Sequence, residues 1–359
     1  MTTSESALRA WGFNDRWGAV ARMVEDHGEA ARVVAVDRGA LTLRTGDGEV
    51  RGIWRPPWDH ASDEGPDIAV GDWCIIRPAV GDGLAVAHTV LPRWTHLTRK
   101  VAGRAAGSQL LAANVDVVAL VCGLDRDQGI RSIERLLTLV LDGGATPLIV
   151  LTKADLCEEV DHYRQLARMS APGFEAIAIS AATGMGLDQL NAWLTPASTV
   201  ALLGPSGVGK STLINALSGA DVAKTSAVRT GDRRGRHTTV RRQLYRLPSG
   251  VLMLDTPGLR ELAAWVDGDG LRQAFSDIDQ LACACRFRDC RHDDEPGCAV
   301  RQAMDEGTLE PRRFWRYREL SQEAEANRRR RDVRQRSNSK RRFKEISREV
   351  RRICRDREK

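Results

Sequence analysis

The chain has 359 residues, 42% of them hydrophobic, which is enough for two or three compact units that each bury a core. Its most apolar stretch, Val115 to Leu124, contains Asp116 and is far shorter than the roughly 20 residues of a membrane-spanning helix, so no membrane partner is expected. The net charge of +6 is uneven: residues 312–359 hold 20 Lys or Arg against 8 Asp or Glu, a tail of +12 on a body of −6, the pattern of a chain that meets a polyanion such as nucleic acid.

The opening MTTSESALRAWGFNDRW is polar and aromatic rather than signal-like, so a cytoplasmic chain is expected. Residues 1 to about 30 read as a short helical or irregular lead. Five β-like runs follow: Arg32–Val36, Leu41–Arg44, Val50–Trp54, Trp73–Arg77 and Leu84–Val90, with Gly and Asp marking the turns. They predict a small barrel of the oligonucleotide-binding kind and a first domain over 1–95. A linker with Arg93, Arg99, Lys100 and Arg104 leads into a second domain, 96–265, in which strands alternate with helices. The strands are Val115–Cys122, Pro147–Leu151, Phe174–Ile179, Thr199–Leu203 and Val251–Leu254; the helices are Ser132–Leu141, Glu158–Met169, Leu187–Leu194 and Ser211–Leu217. That alternation predicts a parallel sheet covered on both faces. The third domain, 266–359, is helical, then Cys-rich, then basic.

Between the Thr199–Leu203 strand and the Ser211–Leu217 helix lies GPSGVGKST, which satisfies GxxxxGK[ST] in the strand-loop-helix setting that the mechanism demands. Gly204, Pro205, Ser206, Gly207, Val208, Gly209, Lys210, Ser211 and Thr212 form this phosphate loop. Its amides cradle phosphates, Lys210 reaches the β- and γ-phosphates, and Ser211 ligates Mg²⁺. DTPG, Asp255 to Gly258, follows an apolar strand, so Asp255 can hold Mg²⁺ through water and Gly258 can offer its amide to the γ-phosphate. Base choice points to TKAD: Asp155 can accept both N1–H and N2–H of guanine, Lys153 can pack its stem over purine and ribose, and Thr152 and Ala154 complete the loop. SAATG closes the pocket through Ser180 and the Ala181 amide.

Four positions, Cys285, Cys290, His292 and Cys298, supply three thiolates and an imidazole for a closed tetrahedral structural Zn²⁺ site, with Cys283 competing with Cys285. Cys74, Cys122, Cys157 and Cys354 read as ordinary reduced thiols. In the tail, Phe343, Ile346, Val350 and Ile353 fit an amphipathic helix whose other face is basic.

The guanine-type motifs precede the phosphate loop, and with Thr98-Arg99-Lys100, LAANVD at Leu111–Asp116, GRHTT at Gly235–Thr239, DTPGLRE at Asp255–Glu261 and the cysteine module, the chain resembles the RsgA family of circularly permuted, ribosome small-subunit-dependent GTPases. The resemblance runs from about residue 32 to the C-terminus. It implies GTP hydrolysis to GDP, binding to the small ribosomal subunit and its rRNA in the GTP state, release after hydrolysis, a monomer, and the same four zinc ligands. Thr152 stands where Asn is usual, with a hydroxyl but a shorter reach to the phosphate loop. Thr238 or Thr239 would sense Mg²⁺ and the γ-phosphate. Leu259 replaces a water-orienting Gln, which implies slow intrinsic hydrolysis and leaves His237 as a candidate to orient water. Met185–Ser198 is long enough to join the ordinary termini, so the new ends lie beside the second switch and loss of the γ-phosphate is expected to move the C-terminal module. Two competing readings are an RNA-binding scaffold with structural zinc and incidental hydrolysis, and an ATP-dependent P-loop enzyme, which Asp155 disfavours.

Overall fold

Short apolar runs punctuated by Gly and Asp turns close into a five-stranded barrel: β1 (Glu29–Asp37), β2 (Ala40–Arg44), β3 (Glu49–Trp54), β4 (Trp73–Arg77) and β5 (Ala85–Val90). The order is β1-β2-β3-β5-β4 with β4 returning to β1, and only the β3–β5 pair is parallel, as in an oligonucleotide-binding barrel. Ala31, Val33, Leu41, Leu43, Cys74, Ile76 and Ala87 fill its interior. The computed structural model describes residues 3–24, 28–37, 40–55, 68–78, 83–100, 108–125, 132–219, 242–255 and 268–329. They fall into two compact units, 1–99 with 110–264, and 100–109 with 265–359.

The N-terminal lead is two packed helices, α1 (Thr3–Arg9) and α2 (Asp15–Met23), the second capped where Asn14 Oδ1 accepts from the Trp17 amide at 3.1 Å. Trp17 stacks on Trp94 at 4.6 Å and Phe13 meets Trp73 edge-on at 5.0 Å, so aromatic burial turns this segment into a cap on the barrel. In the linker that follows, β6 (His96–Lys100) and β7 (Ser108–Ala113) pair as a ribbon.

Beyond the ribbon, continuous apolar runs form the parallel strands β8 (Val117–Gly123), β9 (Thr146–Thr152), β10 (Ala176–Ala178), β11 (Thr199–Leu203) and β13 (Leu252–Asp255). Helices α3 (Ile133–Asp142), α4 (Val160–Ser170), α5 (Leu187–Trp193) and α6 (Lys210–Ser218) connect them. The order is β10-β9-β8-β11-β13-β12, with the chain turning outward in opposite directions from β8 and β11, which makes that boundary the topological switch point. The antiparallel β12 (Arg242–Arg246) had no clear sequence signal: in Arg-Gln-Leu-Tyr-Arg the apolar groups are Leu244, buried, and Tyr245, half-buried against the sheet core. Its other edge pairs with β1 at Ala35↔Gln243 and Val36↔Arg242, fusing barrel and nucleotide sheet into one 11-stranded sheet.

At this seam Arg32, 2% exposed, donates to Thr199 Oγ1 at 2.7 Å, to the Asn114 carbonyl at 3.2 Å and to the Trp11 carbonyl. Burial pulls its guanidinium down to about 10, opposed by the charges of Asp116 and Asp72. Asp116 accepts the Thr199 amide at 2.7 Å, so the start of the strand that feeds the phosphate loop is held from two sides. Arg32→Ala would leave three acceptors unpaired and is expected to cost about 3 kcal/mol, roughly 6–12 °C in Tm. Calorimetry checks this; a Tm within 2 °C of the parent, on the order of 1 kcal/mol or less, would show that the seam does not rest on Arg32.

The second unit contains α7 (Gly268–Ala274), α8 (Ser276–Cys283), α9 (Ala299–Asp305) and a helix over residues 311–329, α10. Phe275, Ile278, Val300, Phe314 and Leu320 are buried in it. Arg313 pairs bidentately with Asp277, at 2.7 Å on each oxygen, and donates to the Ala274 carbonyl at 2.8 Å. The amphipathic tail segment lies outside the described residues.

Candidate functional site

β11 is buried throughout and ends at Gly204, where φ is 155° and an added Cβ would sit 2.2 Å from the Val121 carbonyl; only glycine lets the phosphate loop turn this close to β8. Val208 is buried in the sheet core and anchors the loop, while Ser206 and Gly207 are exposed. Gly209 precedes α6, whose first residues Lys210, Ser211 and Thr212 form the helix N-terminus. The Lys210 ammonium donates to the carbonyls of Gly204 and Pro205 at 2.7 and 2.5 Å, and so curls over the loop.

The guanine-side loop begins where β9 ends. The Thr152 hydroxyl, buried, donates to the Val208 carbonyl at 2.5 Å and lies 3.3 Å from the Cys122 carbonyl. Its reach to the phosphate loop is therefore not too short: β9 and the loop approach closely enough for a β-hydroxyl to bridge them. Lys153 is left-handed at φ 61°, the conformation that starts the tight turn Ala154–Leu156. The Ala154 amide donates to Ile179, at 3.1 Å, tying this loop to the one that follows β10. Asp155 is exposed, and none of the described residues bonds its carboxylate. In the second loop Ser180 is fully buried, its hydroxyl accepts from the Thr183 amide at 3.2 Å, and Ala181 is half-buried beside it. Thr152–Asp155, Ser180–Ala181 and Gly204–Thr212 thus sit at the same, C-terminal end of β9, β10 and β11, around the switch point.

Asp125, at the end of β8, was not singled out in the sequence; its carboxylate takes the Lys153 ammonium at 2.7 Å. The available signal was its place directly after an apolar strand at the same sheet end as Thr152–Asp155. Asp255 ends β13, next to β11. Gly258, His237, Thr238 and Thr239 lie outside the described residues.

In the second unit, one ligand atom from each of Cys285, Cys290, His292 and Cys298 lies within 4.8 Å of the others. Cys285 and Cys298 sulfurs are 4.0 Å apart, and His292 Nδ1 is 3.6 and 3.4 Å from them. A tetrahedral ion with bonds of about 2.3 Å to sulfur and about 2.0 Å to nitrogen would space its ligands about 3.8 Å (S···S) and about 3.5 Å (S···N), so the residues fit a metal. Cys283 is exposed and outside the cluster, which resolves its competition with Cys285. Burial pushes the Cys122 thiol up to about 12 and Cys74 further, the behaviour of inert core thiols. Arg286, Arg288 and Arg291, around the ligands, are exposed.

A phosphate loop at the switch point, with base-side loops on strands that precede it in the chain, defines the class: a P-loop GTPase with circularly permuted motif order. The family model described as RsgA GTPase matches residues 90–265. A model for ABC transporters matches 187–350, a span that takes in the phosphate loop but not Thr152–Asp155. The chain belongs to the RsgA GTPase family. A small ribosomal subunit biogenesis GTPase RsgA of Syntrophotalea carbinolica is 44% identical over 82% of this chain and 82% of that protein. One of Streptomyces coelicolor is 40% identical over 89% of this chain and 87% of its own. Among solved structures, YjeQ from Thermotoga maritima matches 82% of this chain and 98% of its own with a TM-score of 0.59 at 26% identity. YloQ, a circularly permuted GTPase, matches 84% and 96% with a TM-score of 0.58, also at 26% identity.

Proposed function

We propose that this chain hydrolyses GTP in the late maturation of the small ribosomal subunit, with the subunit stimulating hydrolysis and hydrolysis releasing the protein. The observation that carries the reading is the pairing of an intact phosphate loop with a base-side loop, Thr152–Asp155, tied to it through Thr152. Asp155 reads the guanine edge, Lys153 covers the base, and the Ala181 amide meets O6. Lys210 and the loop amides stabilise charge on the transferring phosphoryl group, and Ser211 and Asp255 would hold Mg²⁺, which would supply further charge neutralisation there. Thr238 or Thr239 and Gly258 sense the γ-phosphate, and His237 orients the attacking water. The metal of the second unit is structural Zn²⁺ on Cys285, Cys290, His292 and Cys298. The barrel (1–95), the GTPase domain (96–265) and the zinc domain with its basic tail (266–359) are the functional divisions of a cytoplasmic monomer, and the barrel and tail contact rRNA.

Purified protein should turn GTP over slowly alone and many-fold faster with small subunits, and large subunits should not substitute. Equal rates with and without small subunits would leave the RNA-binding scaffold as the better account.

A further inference from the structure

Lys153 has two features that the guanine motif does not explain. Its backbone is left-handed, which a residue with a Cβ adopts at a cost unless its surroundings impose it. Here they do: the Leu124 amide donates to the Thr152 carbonyl at 3.0 Å, the Ala154 amide to Ile179 at 3.1 Å, and the Thr152 hydroxyl to Val208 at 2.5 Å. Its ammonium is also engaged by a carboxylate from another strand end. It is held by Asp125 Oδ2 at 2.7 Å, with both side chains only about a quarter exposed, at 27% and 26%.

Asp125 is itself aimed. An added Cβ at Gly123 would lie 2.6 Å from Asp125 Oδ1 and 3.6 Å from Val208 Cα, so the carboxylate folds back over the glycine toward the backbone of the phosphate loop. The lysine stem is thereby stretched from the end of β9 to the end of β8, along the floor between the base-side loop and the phosphate loop. A four-carbon stem left free carries roughly 2 kcal/mol of rotamer entropy that binding must remove, and a fixed one presents its methylenes already in place.

We propose that Asp125 is a positioning residue for the base: it pins the Lys153 ammonium so that the stem is preorganised as a flat apolar floor under the purine, and it keeps that ammonium from the phosphates. The inference rests on the reading that Lys153 and Asp155 seat guanine. It assigns Gly123 a part as well, since a methyl group there would displace the carboxylate.

The test is the affinity of the full-length protein for a fluorescent GDP analogue, in a double-mutant cycle. Asp125→Asn should weaken binding about tenfold, Gly123→Ala should do the same, and Asp125→Glu should recover part of the loss. Lys153→Met keeps the stem without its charge; in that background Asp125→Asn should have no further effect, which a merely structural role would not produce. In turnover the loss should fall on KM rather than kcat. Binding within about twofold of the parent for Asp125→Asn, or losses that multiply in the double variant, would overturn the proposal. An Asp155→Asn variant that still prefers guanosine to xanthosine diphosphate would instead sink the guanine seat itself, so the two failures are distinguishable.

Discussion

Asp155→Asn should lower affinity for GTP and GDP by about a thousandfold and transfer it to the xanthosine nucleotides, because the site's discrimination rests on one acceptor pair. A carboxylate accepts N1–H and N2–H of guanine together, whereas an amide presents a donor to N2–H and instead suits the carbonyl of xanthine. Asp155 is exposed and unbonded among the described residues, so the exchange removes no internal hydrogen bond and the fold should be unaffected. The turn that carries it is held elsewhere, by Ala154 on Ile179 and Thr152 on Val208. Titration calorimetry with GDP and xanthosine diphosphate reads both arms. GDP affinity that falls by less than about tenfold would mean that the base is read by other groups, and the assignment of Thr152–Asp155 would fail.

Legibility in the sequence followed the physical origin of each signal. The barrel strands, the buried β8 and β11 and the phosphate loop were readable because local chemistry dictates them: apolar runs between glycine turns, and a glycine-rich loop between strand and helix. β12 was not, since a strand that pairs on both edges gains its stability from the backbone ladder, and its two core-facing residues, Leu244 and Tyr245, are adjacent and show no alternation. Arg32 looked like any strand arginine; its role comes from Trp11, Asn114 and Thr199, up to 167 positions away in the chain. The N-terminal helices likewise owe their order to Trp73 and Trp94, which lie beyond them in sequence. At the site, Thr152 was read as a shortened Asn because reach depends on the separation of β9 from the phosphate loop, a tertiary quantity. Asp125 escaped notice for the same reason: a single acidic residue after a strand becomes informative only when Lys153 is seen to bend toward it.

Removal of the metal should unfold the cysteine module of the second unit while leaving nucleotide binding intact. The four ligand atoms lie within 4.8 Å of one another, the crowding that a shared ion would hold together. The module is built on those ligands: Cys298 caps α9 by accepting the Arg301 amide, and His292 packs edge-on against Phe314, 6.2 Å between centroids, so loss of the ion releases both. Zinc in small modules contributes an apparent 10–16 kcal/mol at neutral pH, roughly the whole stability of a domain, so the remaining contacts of α8, α9 and α10 should not suffice. Elemental analysis should give one zinc per chain. Cys298→Ala or a strong chelator should then abolish hydrogen-exchange protection in α9 and around residues 285–298, with GDP affinity unchanged because the phosphate loop and Thr152–Asp155 belong to the other unit. Retained protection after complete loss of metal would show instead that the cluster is packed as ordinary thiols and that the helices carry the module alone.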